Sequence, residues 1–402
     1  MKDIKKDFPV FENNPGLVYL DSCSSTQKPS YVIEGVSWYV SNYYANIHRW
    51  LYNLSEVSEE IYQDSKKLAG NTINAKSSEI IYTYNSTYGL NMLAYSLLVS
   101  GWISSWDKIL VGIGEHHSNI VPWLALQQNF GVQVEFFGMT KDFDIDFEDF
   151  SKKYDNNVKL VAANYVSNVT WSVFDIKKLS GILREDTLLV IDGSQAVPNF
   201  RVDVKDLDID FFVFTWHKIM GYSWIGVLYW KKELIKKLTP AFGWGGSIQD
   251  VTKEGYRSLG NNEWFEFGTP NIISAASLKY AFEYIESIGW YDFVEQRKLE
   301  LVDYALEKFR KLQDKIKLIG KDNNQNRVGV FSFVFRKDFS PVKFWEYMAM
   351  KNICIRCGGH CAHPYLEDMG YQWVCRMSLY IYNDFQDIDK FFEALEEFYD
   401  SL

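Results

Sequence analysis

An open, mostly parallel α/β sheet joined to a smaller α+β unit is the fold class the sequence predicts, and three observations predict it. Seven short β-rich runs in the first part of the chain are separated by longer helical stretches. Two of them, at 160–163 and 188–191, are apolar without alternation, as in strands covered on both faces. Past Ile272 the pattern changes to a long helical stretch, an alternating strand, a cysteine-bearing loop and a closing amphipathic helix.

The elements follow in order. The expected strands are 79–84, 108–113, 132–137, 158–164, 187–192, 211–214 and 225–230. The proline-free stretch to about 317 has Leu301, Ala305, Phe309 and Leu312 at helical spacing. Strands at 328–335 and 374–382 follow, and the last helix should bury Phe385, Ile388, Phe392 and Leu395 on one face. The expected division is an N-terminal segment 1–25 packing on the smaller unit, a large domain 26–275 and a small domain 276–402 carrying the cysteine loop.

A chain of 402 residues, 47% hydrophobic and 23% charged, can bury a core of this size. Its net charge of −10 and lack of a long Lys/Arg run argue against nucleic acid or anionic membrane as a main partner. The first residues lack the apolar core of a secretory signal, and no apolar run is long enough to span a bilayer. Five cysteines, an odd number without a signal, suggest reduced thiols in a cytoplasm. Four of the five lie between 354 and 375, where chemistry is a better reading than bridging.

Polar residues gather where strands end, the place open α/β sheets hold ligands. Asp192 closes an apolar strand and opens Asp192-Gly193-Ser194-Gln195-Ala196. Its carboxylate suits a pyridinium nitrogen, or it caps the next helix. The 211–214 strand runs into Thr215-Trp216-His217-Lys218, where a lysine beside a histidine suits a Schiff-base amine. Asn85-Ser86-Thr87-Tyr88-Gly89 opens a helix and suits either a phosphate cradle or an ordinary cap. In Glu115-His116-His117-Ser118-Asn119 an imidazole could stack on a planar cofactor or move protons, and no zinc spacing completes it. The segment Arg356-Cys357-Gly358-Gly359-His360-Cys361-Ala362-His363-Pro364 is the most pointed. Gly-Gly makes a mobile turn, and the imidazoles and Arg356 favour a thiolate at Cys361. Cys357 and Cys361 as a metal pair is the competing reading, while Cys354 and Cys375 fit small core positions.

Further blocks run in the same order: Tyr19-Leu20-Asp21-Ser22, His48-Arg49, Val166-Ser167-Asn168-Val169, Phe265-Glu266-Phe267-Gly268-Thr269-Pro270-Asn271 and Cys375-Arg376-Met377-Ser378. With the segments above, they resemble the group II (SufS-like) cysteine desulfurases, of pyridoxal-phosphate fold type I in the class V aminotransferase superfamily. The resemblance runs nearly end to end and implies pyridoxal 5'-phosphate on Lys218, which also moves the α-proton. It implies Asp192 at the pyridinium nitrogen, Asn168 and Gln195 on the ring-hydroxyl side, and His116 stacked on the ring. Ser86, Thr87, Thr215 and His217 are implied at the phosphate, with Thr269 from the other subunit of a homodimer. Arg376, with Arg356 nearby, is implied at the substrate carboxylate. Cys361 then takes sulfur from L-cysteine, leaving alanine and a persulfide for a SufE- or SufU-like acceptor and iron–sulfur cluster assembly. No metal is implied.

An aminotransferase has no need of Cys361. A selenocysteine lyase or cysteine sulfinate desulfinase shares the pocket, and a non-catalytic scaffold is the reading from another class. One departure bears on that last choice. Tryptophan stands where the resemblance has glycine at Trp50, Trp106, Trp171, Trp216, Trp224, Trp230 and Trp244, with Trp373 a further candidate. A source that decodes UGA as glycine gives this pattern when its gene is read by the standard code. On that reading Trp123, which matches the family, is genuine, and rings at Trp171 and Trp216 are expected to crowd the cofactor pocket. A divergent pocket that holds the rings is the alternative.

Overall fold

The computed structural model describes residues 4–48, 51–245, 248–258 and 260–402. Arg49 and Trp50 lie outside the described residues. The strands in chain order begin with β1 (Val18–Tyr19), β2 (Ile80–Thr83), β3 (Lys108–Gly112), β4 (Gln133–Phe137) and β5 (Val158–Asn164). They continue with β6 (Leu188–Asp192), β7 (Phe211–Thr215), β8 (Gly226–Trp230), β9 (Ile248–Val251) and β10 (Tyr256–Ser258). The last five are β11 (Ile316–Ile319), β12 (Val330–Phe335), β13 (Ile353–Cys354), β14 (Arg356–Gly358) and β15 (Val374–Ser378).

The seven expected strands form one sheet, ordered β2-β8-β7-β6-β5-β3-β4. Strands β4, β3, β5, β6 and β7 are mutually parallel, and β8 runs antiparallel to both neighbours. Alternation along each strand builds two cores, because successive side chains leave opposite faces. Leu110, Val161, Leu189 and Ile191 enter the core shared with the helices Ser30–Asn42, Asn53–Thr72 and Ile272–Ser287. Ile109, Val111, Leu160, Ala162 and Val190 enter the other, against the helices Ser86–Val99 and Val121–Phe130. A strand with partners on both faces has no reason to alternate in polarity, which accounts for the unbroken apolar runs.

A second, antiparallel sheet is ordered β11-β12-β15-β14. Phe309, Phe331, Phe333, Phe391, Phe392 and Phe398 pack its core, together with Leu301, Ala305 and Leu312. The closing helix, Phe385–Asp400, buries Ile388, Phe392 and Leu395 as its period predicts, but Phe385 is 42% exposed. It sits at the first helical position and meets the edge of that core, ring to ring with Tyr304 at 4.9 Å. The expected strand to 382 stops at Ser378, whose N–H turns to Leu20 O at 2.7 Å. β1 pairs in parallel with β13 in a separate two-stranded sheet, and a bridge from Asp21 to Ser378 ties the N-terminal segment to β15 of the second sheet.

The fully buried tryptophans fall into two classes. Trp123 is fully buried and its indole Nε1 donates to Asn119 Oδ1 at 3.2 Å. Trp171, Trp216 and Trp230 are also fully buried, yet the indole N–H of each has no partner among the described residues. An unpaired buried donor of that kind costs about 1–3 kcal/mol. Trp171 and Trp224 take φ of +62° and +66°, the left-handed region that favours glycine. The expectation that Trp171 and Trp216 crowd the cofactor pocket is corrected: both rings turn into the core behind it, where Trp216 packs on Phe214 and Phe282. Trp106 is 80% exposed.

Trp224 isolates the backbone effect, since its ring is 67% exposed and little burial is lost with it. Trp224→Gly should raise stability by about 1 kcal/mol through relief of the left-handed conformation. Trp123→Gly should lower it by about 3 kcal/mol or more, from the cavity and the lost hydrogen bond. Melting curves of the two variants and the parent check both signs, and a lower melting point for Trp224→Gly contradicts the strain argument.

Candidate functional site

The C-terminal ends of β3, β5, β6 and β7 open on one cavity of about 210 Å³. Asp192 is the last residue of β6, and Gly193 follows because a Cβ there would run into the Phe212 ring. The Asp192 carboxylate accepts from Ser194 N–H at 2.9 Å, so the turn holds it at the cavity edge. β7 ends at Thr215, and one 3-10 turn, Trp216–Lys218, brings His217 and Lys218 into the lining. Burial pushes the Lys218 amine below the ordinary lysine range, against the pull of the Asp192 charge.

Across from Lys218 lies the start of the helix Ser86–Val99, whose positive end faces the cavity with Ser86 and Thr87. The Asn85 side chain caps it by accepting from Tyr88 N–H at 2.8 Å. Gly226 of β8 allows this approach, since a Cβ would stand 2.5 Å from the Asn85 carbonyl carbon. Thr87 Oγ1 pairs with Ser118 Oγ at 2.6 Å and Ser86 Oγ with Ser194 Oγ at 3.1 Å, so the hydroxyls of three turns converge.

His116 follows β3 and anchors its Nδ1 on Ser118, 3.0 Å from Oγ. Burial and the nearby Lys218 charge push its pKa down to about 3. His217 is pushed down to about 4, first by burial and then by Lys218. His116 is therefore neutral at physiological pH, which fits ring stacking and not proton donation. Behind it Glu115 is fully buried, accepts from Asn119 Nδ2 and Asn164 N–H at 2.7 and 2.6 Å, and is pushed well up by burial.

Asn168 and Gln195 reach the cavity with their Nδ2 and Nε2 groups committed, to His360 O at 2.8 Å and Cys23 O at 3.1 Å. The Asn168 Oδ1 is left buried with no partner among the described residues. Arg376, on β15, is 4% exposed. It donates to Asn168 O and Ser24 Oγ, each at 3.1 Å, while its Nε has no partner among the described residues. Arg356 lies directly across from it on β14 and donates to the same Ser24 Oγ at 3.0 Å.

β14 leads into the cysteine loop. Gly358 takes φ of +145°, and His360 and Cys361 follow in the left-handed region at +47° and +55°. Cys361 emerges as an exposed free thiol that lines the cavity. One cysteine expectation is corrected and one competing reading falls. Cys357 and Cys375 face each other across β14 and β15 and are joined in a disulfide, so Cys357 is no partner for Cys361 in a metal pair. Cys375 is fully buried in the core of the small sheet, as expected of it, and the bond departs from the all-reduced reading. Among the described residues no cluster of His, Cys, Asp or Glu is placed to hold a metal ion.

The lining fits pyridoxal phosphate. Its permanent cations are Arg356 and Arg376 against Asp192, with the lowered Lys218 amine beside them, a balance suited to a phosphate and a carboxylate. The unpaired Asn168 Oδ1 awaits a hydroxyl donor, and the Lys218 amine makes no hydrogen bond within the described chain. Thr269, expected to serve the site of a second subunit, stands exposed on its own loop and outside this chain's cavity. Ser24, Cys23 and Ser194 join the lining without having been singled out. Ser24 and Cys23 follow the Tyr19–Ser22 block directly, the one signal that could have found them.

Comparison with known proteins agrees with this geometry. The family model for class-V aminotransferases matches residues 18–391. The chain is 34% identical to the probable cysteine desulfurase of Staphylococcus epidermidis, over 99% of this chain and 96% of that protein. The apo structure of a cysteine desulfurase from Thermococcus onnurineus NA1 superposes with a TM-score of 0.93 at 31% identity, covering 100% and 99% of the two chains. That of the Escherichia coli cysteine desulfurase CsdA does so with 0.90 at 26%, covering 99% and 98%.

Thiol titration of protein unfolded without reductant should count three free cysteines of the five, since Cys23, Cys354 and Cys361 are free. Five thiols before reduction would show Cys357 and Cys375 unbonded.

Proposed function

Since the chain belongs to the class-V aminotransferase family and is a cysteine desulfurase that works with pyridoxal phosphate, we propose that its cavity makes alanine from L-cysteine and leaves the sulfur on Cys361. We place it within the group II, SufS-like branch. The observation that carries the proposal is that the free Cys361 thiol opens on the same cavity as the Lys218 amine and the Arg376 guanidinium.

Pyridoxal phosphate, when bound, supplies an electron sink that makes the Cα–H and Cβ–S bonds of the amino acid labile. The residues of the chain divide the remaining work. Lys218 anchors the cofactor and, with its amine held below the usual lysine range, takes the proton from Cα. Asp192 holds the proton on the ring nitrogen, and neutral His116 covers the ring face. Asn168, through its unpaired Oδ1, and Gln195 bind the hydroxyl side. The first turn of the helix Ser86–Val99, with Thr87, Thr215 and His217, holds the phosphate. Arg376, backed by Arg356, binds the substrate carboxylate through its charge and its unpaired Nε. Cys361, as the thiolate, attacks the substrate sulfur: the new S–S bond forms as the Cβ–S bond breaks, and the pair of the broken bond stays on the carbon side, where it passes into the electron sink and a proton at Cβ completes alanine.

The homodimer belongs to the same proposal. Thr269 stands exposed where a second copy can use it, with Trp224 and Phe242 also exposed. A sulfur-acceptor protein of SufE- or SufU-like kind, serving iron–sulfur cluster assembly in the cytoplasm, completes the reading. The division into a large domain, 26–275, and a small one, 276–402, is kept with one adjustment. The helix Ile272–Ser287 packs on Ser30–Asn42 and Asn53–Thr72 and goes with the large unit.

Lys218→Ala should abolish the visible absorbance of the bound cofactor and cut alanine release by at least about 1,000-fold. Full activity in that variant would remove Lys218 from the role.

Cys361→Ser should keep the cofactor yet slow alanine release more than about 100-fold, because a hydroxyl is a poor sulfur acceptor. After cysteine treatment, intact-protein and peptide mass spectrometry should find the extra sulfur on Cys361. An extra sulfur on Cys23 or Cys354 instead would move the acceptor.

A further inference from the structure

The loop carrying Cys361 is tied to the main sheet at three points. His117 N–H donates to Cys361 O at 2.7 Å, and Asn168 Nδ2 donates to His360 O at 2.8 Å. The third tie runs the other way: His363 N–H donates to Nε2 of His117 at 3.2 Å. The two imidazoles also stack, with ring centroids 5.0 Å apart and His363 Nδ1 3.2 Å from the same Nε2. Between the ties sit His360 and Cys361, two successive non-glycine residues in the left-handed region. Backbone of that kind persists only where its surroundings hold it.

Only the third tie depends on a titratable side chain. His117 Nε2 accepts from His363 N–H while it carries no proton. A proton there removes the acceptor of His363 N–H, and the new N–H turns instead to His363 Nδ1, so the tie to the loop backbone is lost. Resting on the reading of Cys361 as sulfur acceptor, we propose that His117 is a positioning residue: its neutral imidazole, gripping His363, latches the 359–363 loop so that Cys361 faces the cavity, and protonation unlatches it.

The titration of His117 is coupled to that of its partner His363, and the other imidazoles of the cavity stay out of it. The ionisable groups around the latch are His116 and Glu115 on the same turn region, His360, Cys361 and His363 on the loop, and Arg356 and Arg376 on β14 and β15. His116 is pushed down to about 3 and His360 well below the ordinary range, so both stay neutral in mild acid. His217, elsewhere on the cavity wall, is at about 4. His117 is lowered by burial and then by the charge of His363. A lowered imidazole value means that the latch is fully present above the ordinary value of about 6.5 and is lost as pH falls through the lowered one.

The test is hydrogen–deuterium exchange of the peptide spanning 358–366 in the holoenzyme without cysteine, corrected for intrinsic rates, between pH 5 and 8. The parent should lose about tenfold in protection towards the acid end, the scale of one lost hydrogen bond. His117→Ala should exchange about tenfold faster at pH 7.5 and show no further pH dependence. His117→Gln, whose amide oxygen can accept from His363 N–H, should restore the protection and remove its pH dependence. Single-turnover persulfide formation at pH 7.5 should fall about tenfold in His117→Ala, with the cysteine concentration dependence unchanged, and recover in His117→Gln. Protection that is flat with pH in the parent, or equal loss in the Ala and Gln variants, overturns the latch. If the exchange behaves as stated while Cys361→Ser still releases alanine at the parent rate, the acceptor role fails and the latch stands.

Discussion

Arg376 is the constraint around which the site is arranged. A guanidinium this deeply buried has left water and must be met by acceptors. Its acceptors come from two stretches far apart in sequence: the Asn168 carbonyl beyond β5, and Ser24 with Asp21 in the N-terminal segment. The ring of Trp171 lies 5.7 Å away on another side. One cation on the small sheet thereby holds the N-terminal segment and a loop of the main sheet together. Asp21 stays 3.5 Å off, and Arg356 adds a second cation on the neighbouring strand. The positive charge is left in excess, which is what a carboxylate ligand needs.

That excess spreads through the cavity. Burial first, and then the neighbouring cations, hold the imidazoles neutral: Lys218 acts on His116 and His217, and Arg376 and Arg356 on His116 and His360. Neutral imidazoles stack, accept and fill space, but they do not supply protons near neutrality. The group with its affinity brought towards neutrality is Lys218 itself, lowered by burial and held up by Asp192. Acid–base work and electrostatic binding are thus separated by burial alone, with similar side chains in both roles.

The cysteine loop depends on the same junction. β14 and β15 set Arg356 opposite Arg376 and Cys357 opposite Cys375, and the disulfide fixes the base of the loop one residue from those arginines. Beyond it the chain departs from ordinary backbone through His360 and Cys361 and returns at the short helix His363–Asp368. The thiol is therefore presented by a strained turn between two fixed ends, not by a free arm. The tryptophans tell a related story from the opposite side. Trp171 and Trp216 are accommodated by turning into the core, and the cost is visible as indole N–H groups without partners and, at Trp171 and Trp224, as left-handed backbone.

The sequence alone determined the seven strands of the main sheet, nearly to their ends, and the helix period through Leu301, Ala305 and Phe309. The residues expected from this chain's own copy all line the cavity, whereas Thr269 was expected from a second subunit. The groups around Asp192, Lys218, Ser86 and His116 were legible because they are local: an apolar run records burial on both faces, and polar residues after it mark the strand end where ligands sit. Asn168 and Arg376 carry no such local mark and came from the family resemblance alone. The short strands β1, β13 and β14 were not legible, since two or three residues carry no period. Phe385 shows the same limit, its helical phase correct but its place at the helix start deciding exposure. Which partners meet across the chain was decided only by tertiary structure. Cross-strand register joined Cys357 to Cys375, and packing of the small sheet on the large one set His363 against His117, 246 residues away. Pairings of that kind follow from how whole sheets dock, and no local pattern of residues encodes them.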